Sequence, residues 1–95
     1  MHVLDALGNP VRRAILLELR AGPRAVGDIA AAMPISRPAV SRHLRVLEDA
    51  GLVQAREAGA RNIYAIRMQG FADVRAFVDD FWDSALARLE ALARQ

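Results

Sequence analysis

The chain has 95 residues, enough for one domain, with no cysteine and 13 basic against 11 acidic residues, all the basic ones arginine. The missing thiols exclude disulfides, thiolate nucleophiles and sulfur metal ligands. A formal charge of +2 is too small to indicate nucleic acid by itself; the placement of the charges decides.

The N-terminal stretch Met1-His2-Val3-Leu4-Asp5 lacks the basic-then-apolar pattern of a signal peptide. No apolar run is long enough to cross a bilayer, so a cytoplasmic protein without membrane contact is expected. A short helix is expected around Val3 to Leu7. Asn9-Pro10 then reads as a helix start, since Asn caps free N–H groups and Pro fits the first turn. Val11, Ile15, Leu16 and Leu19 recur at helical spacing, and Ala21-Gly22-Pro23 stops the helix.

The next helix is expected from Val26 to Met33, ended by Pro34. After a short turn, Ser36 caps a further helix that runs to about Ala50 and stops at Gly51. This is the spacing of a helix-turn-helix. Leu52 to Arg56 and Asn62 to Ile66 read as two strands of a hairpin, with Gly59 supplying positive φ in the connection. A hairpin directly after a helix-turn-helix is the order of a winged helix. From about Phe71 to 94 the pattern is helical again, giving an element roughly 35 Å long.

On the helix from Ser36 to Ala50, Val40, Leu44 and Leu47 share one side. Arg37, Pro38, Ser41, Arg42 and Arg45 fall on the other. A guanidinium offers two parallel donors that match guanine O6 and N7, and Ser and Arg also bind phosphate oxygens. An isolated helix of this kind is ordinarily a solvated face, but the turn before it and the hairpin after it favour DNA reading. His43 lies between the two sides, where it either donates to a phosphate or shields the edge of the core.

Ile35-Ser36-Arg37-Pro38-Ala39-Val40-Ser41-Arg42-His43-Leu44, followed by Leu47 and Ala50-Gly51-Leu52-Val53, resembles the recognition-helix signature of the ArsR/SmtB family of bacterial repressors. Leu7 to Leu16 resembles that family's first core helices. The resemblance implies a fold that is mainly α with a small β-hairpin: a dimeric winged helix-turn-helix of about five helices and a two-stranded wing, filling residues 1–95. It implies the helix 36–50 in the major groove, with Ser36 and His43 beside the arginines. Wing residues Arg56, Arg61 and Asn62 would lie along the backbone or minor groove, with Glu57 opposing them.

Metal sensing in that family uses a cysteine box or His and carboxylates on the last helix. Here residues 26–33 carry no thiolate, and the last helix offers Asp73, Asp79, Asp80, Asp83 and Glu90 but no His. Carboxylates alone seldom hold zinc, so no metal site and no cofactor are expected. Any small-molecule effector is unidentified.

The last helix carries too many apolar side chains for so small a domain to cover. A two-fold dimer through Phe71, Val74, Val78, Phe81, Trp82 and Leu89, joined by Val3, Leu4 and Leu7, removes that patch from water. Phe81 and Trp82 are expected to be the most buried of the set. Such a homodimer would read double-stranded DNA at an operator that is an imperfect palindrome. The alternative is a winged helix that binds protein without DNA readout, which has no use for the arginine row. An enzyme is not expected: there is no phosphate-binding Gly-rich loop and no clustered acid and base.

Overall fold

The computed structural model describes residues 2–94. Helix α1 spans Val3–Leu7 and α2 spans Pro10–Leu19. The Asn9 carboxamide oxygen accepts the N–H groups of Val11 (2.9 Å) and Arg12 (3.1 Å), so α2 begins where its capping residue stands. Strand β1, Arg24–Ala25, leads into α3, Val26–Ala31. Helix α4 spans Arg37–Asp49, and its first turn is capped by Ser36 Oγ accepting Ala39 N–H at 3.3 Å. Strands β2, Val53–Ala58, and β3, Arg61–Ile66, follow. A 3-10 turn, Met68–Phe71, precedes α5, Ala72–Ala93.

The end of α4 fixes where the wing begins. Gly51 takes φ +79°, its N–H donates to Glu48 O at 2.9 Å, and Leu52 N–H donates to Leu47 O at 3.0 Å. That pair of bonds satisfies carbonyls left open at the helix end and turns the chain into β2. Leu47 and Leu52 are both fully buried at this corner.

The core is one cluster. Ile15 and Leu19 of α2, Ile29 of α3, and Val40, Leu44 and Leu47 of α4 meet Leu52 and Val53, each at most 2% exposed. Every inward position of α4 read from helical spacing is therefore in the core.

The expected two-stranded wing is formed by β2 and β3, and a short third strand joins them in one sheet. It has three strands in the order β1-β3-β2, with Arg24 opposite Tyr64 and Ala25 opposite Ile63. Strand β1 covers only the middle of β3, at Ile63 and Tyr64. The hairpin is also tighter than expected. Ala58 pairs with Arg61, leaving Gly59-Ala60 as a two-residue turn with Gly59 at φ +65°. Two boundaries shift. Helix α3 stops at Ala31 rather than Met33, where the Ala32 and Met33 N–H groups bond Ile29 and Ala30 carbonyls. Leu52 belongs to the corner and not to β2.

Helix α5 leaves the globule. None of its residues is buried, and the molecule measures 63 × 25 × 24 Å. Phe81 is 63% exposed and Trp82 61% exposed, so one chain alone leaves open to solvent the two residues expected to be buried against a second. The physical reason is direction: α5 projects away from the core instead of folding back over it. Among the described residues no helix is long and apolar enough to cross a membrane.

Candidate nucleic-acid interface

Helix α4 presents its polar side to solvent because its apolar side is locked. With Val40, Leu44 and Leu47 fully buried, Arg37, Pro38, Arg42 and Arg45 are exposed, and Ser41 and His43 sit half-buried at the two margins. Ser36 is exposed at the helix start, where its hydroxyl also caps the backbone. Among the described residues Arg37, Arg42 and Arg45 form no ion pair, so their guanidinium donors face water. Two arginines of α2 are engaged. Arg12 Nε donates to Ala6 O at 2.7 Å and its Nη2 to Asp5 O at 3.1 Å, while Arg13 Nη1 donates to Leu7 O at 2.8 Å. These bonds tie the carbonyl end of α1 to α2.

The wing stands beside α4. Arg56, Arg61 and Asn62 are exposed near its tip, and an open groove of about 370 Å³ separates the tip from α4. Arg61 and Asn62 line that groove together with Arg37 and Ser41, so four of the expected contact residues share one surface. Arg56 does not line it. Arg61 Nη2 is bonded to Asp28 Oδ2 at 2.8 Å, a partner that sequence reading missed because the two residues are 33 positions apart.

His43 is held below its ordinary value of 6.5, first by burial and then by the guanidinium charges of Arg12 and Arg42. It is therefore neutral at pH 7, placed against α2 at the margin of the core. Tyr64 of β3 packs against the core, and burial, then the Glu48 carboxylate, push its phenol up against a smaller opposing effect of Arg45. It remains a protonated donor at neutral pH.

The residues expected to meet a second chain divide in two. Val3, Leu7 and Phe71 pack against the core, with Val74 half-buried. Leu4, Val78, Phe81, Trp82 and Leu89 are exposed, as are Phe77, Leu86 and Leu92. The Phe77 and Phe81 rings stack at 6.3 Å between centroids. Among the described residues no three His, Asp or Glu side chains come together in a metal-binding group, and Asp79 faces Arg75 at 3.6 Å.

Comparison with known proteins meets this geometry. A family model described as a helix-turn-helix domain matches residues 7–54. The HTH-type transcriptional regulator Rv2034 of Mycobacterium tuberculosis is 49% identical over 82 residues, covering 86% of this chain and 77% of that protein. A crystal structure of a possible transcriptional regulator for arsenical resistance superposes with a TM-score of 0.80 at 42% identity, covering 96% of this chain and 95% of that one. The solution structure of the homodimeric winged helix-turn-helix DNA-binding domain of Mb0332 from Mycobacterium bovis, a possible ArsR-family regulator, superposes at 0.68 with 38% identity. It covers 83% of this chain and 73% of that one. With the same fold, the same helix order and this level of identity along most of its length, the chain belongs to the ArsR family of winged helix-turn-helix, DNA-binding transcriptional regulators.

Proposed function

We propose that this regulator is a repressor that binds operator DNA as a homodimer, with α4 in the major groove and the wing along the backbone. The observation that carries the reading is the row Arg37, Arg42 and Arg45: exposed, without an ion pair among the described residues, and aimed by a helix whose opposite side is fully buried. Arg42 and Arg45 are the base readers in this account. Ser36, Arg37, Pro38, Ser41, His43, Arg56, Arg61 and Asn62 form its margin and backbone contacts.

The chain acts as one domain in this reading, with α5 as its dimerisation helix. The exposed apolar side chains of α5 and Leu4 of α1 support a second copy as the cover, because a patch of this kind left in water usually marks an interface. The dimer would act in the cytoplasm, where its DNA is, with no catalytic role and no metal as signal. The thiolate-free α3 and the His-free α5 support the latter. A protein-binding winged helix is the rival reading, and no feature of the α4 surface favours it.

Duplex binding measured against salt separates the two. A dimer neutralising six or more phosphates loses about three orders of magnitude in affinity between 50 and 200 mM salt. Binding that is absent, or flat across that range, contradicts the reading.

A further inference from the structure

Two arginines from different elements converge over one short stretch of α3. Arg61, at the start of β3, reaches Asp28 Oδ2 at 2.8 Å. Arg37, at the start of α4, extends over Gly27, where an added Cβ would stand 3.6 Å from its Nη1. Between them lies the groove of about 370 Å³ lined by Gly27, Arg37, Ser41, Ala60, Arg61 and Asn62. Its polar lining consists of two guanidiniums, a hydroxyl and a carboxamide, all of which donate hydrogen bonds. Asp28, the neighbour of Gly27 on α3, is the acid paired with this set.

We propose that this groove seats one phosphate of the DNA backbone, and that Asp28 is the internal competitor for Arg61 which that phosphate displaces. The inference rests on the duplex-binding reading above and deepens it by naming a backbone contact separate from the base-reading arginines.

The Arg61 and Asp28 side chains are 60% and 62% exposed, so their attraction is screened by water. Pairs of this kind contribute little to stability and exchange readily for a better partner. A phosphodiester is such a partner: its two free oxygens match the guanidinium fork, and neighbouring donors on Arg37, Ser41 and Asn62 share the charge. Counterion release from the duplex adds a driving force that the carboxylate lacks. In the DNA-free chain, Asp28 holds Arg61 toward α3 and opposes binding of any polyanion. Because a phosphate carries no base identity, this brake acts on all sequences alike.

The test uses the full chain, a duplex recovered by selection from a random library, and a scrambled copy of it, with binding read by fluorescence anisotropy at fixed salt. Asp28→Asn is expected to tighten binding to both duplexes by roughly two- to fivefold, the range an exposed pair allows, leaving their ratio unchanged. Its melting temperature should stay close to that of the wild type. In an Arg61→Ala background the same substitution is expected to add no more than the small gain that follows from removing one charge. Glu57→Gln, which removes an exposed wing acid with no ion pair among the described residues, controls for charge alone and should give the same small gain with or without Arg61. Unchanged or weaker binding by Asp28→Asn, or an equal gain without Arg61, overturns the inference while leaving the duplex reading intact. A wild-type chain that binds neither duplex overturns both.

Discussion

Arg12 and Arg13 direct their guanidinium donors to the last carbonyls of α1, whereas Arg42 and Arg45 on α4 meet no acid among the described residues. Residue type is the same in each case; what differs is distance from a helix end, where carbonyls lack partners. His43 stands between these groups, half-buried between Arg12 and Arg42 in charge terms, and its imidazole is held neutral. A depressed pKa has a defined sign. The neutral form stabilises the fold above the ordinary value of 6.5, and that contribution is lost as pH falls through the lower, folded value. The thermal midpoint of the wild type should therefore drop further between pH 7.5 and pH 5.5 than that of His43→Gln. Equal acid sensitivity in calorimetric scans of the two proteins contradicts this assignment.

At the scale of elements, the 3-10 turn before α5 depends on a contact between two glycines. A Cβ on Gly70 would lie 2.7 Å from the carbonyl carbon of Gly51 and collide with its oxygen, and both belong to the backbone at the α4–β2 corner. Gly70→Ala should cost about 1–3 kcal/mol or more, because the backbone must move to admit the methyl group. The exposed neighbour Gln69→Ala should cost little, and denaturant titration of both variants checks the difference. This contact also shows what the sequence conceals. Helices α2 and α4 were legible nearly to the residue because Asn9-Pro10, Ser36 and Gly51 mark their ends by local chemistry. The arginine row on α4 was legible for the same reason, since helical spacing alone separates it from the core positions. Strand β1 was not, because two residues carry no periodicity and their partners, Tyr64 and Ile63, are remote in the chain. The Gly70–Gly51 approach and the Arg61–Asp28 pair were hidden likewise: each joins positions that only the folded chain brings together.

Taken whole, the molecule is a small globule with a 22-residue helix projecting from it and an apolar surface left uncovered by the described residues. If a second copy supplies the cover, charge on that surface should separate the chains without unfolding either. Phe81→Glu should sediment as a monomer at micromolar concentration where the wild type is a dimer, with the core of Ile15, Ile29, Leu44 and Leu47 intact. A wild type that sediments as a stable, folded monomer contradicts the dimer. That two-fold symmetry would also govern DNA reading, since it would place two α4 helices about one helical turn, roughly 34 Å, apart. Selection of bound sequences from a random duplex library, run with the wild type and with the Arg42→Ala, Arg45→Ala double variant, tests this most directly. The wild type should enrich an imperfect inverted repeat with half-site centres about one helical turn apart. The double variant should lose the enrichment, while its thermal midpoint stays near that of the wild type because both side chains are exposed. Failure of the wild type to enrich any sequence, or the same repeat recovered by the double variant, would contradict the assignment of α4 as the reading helix.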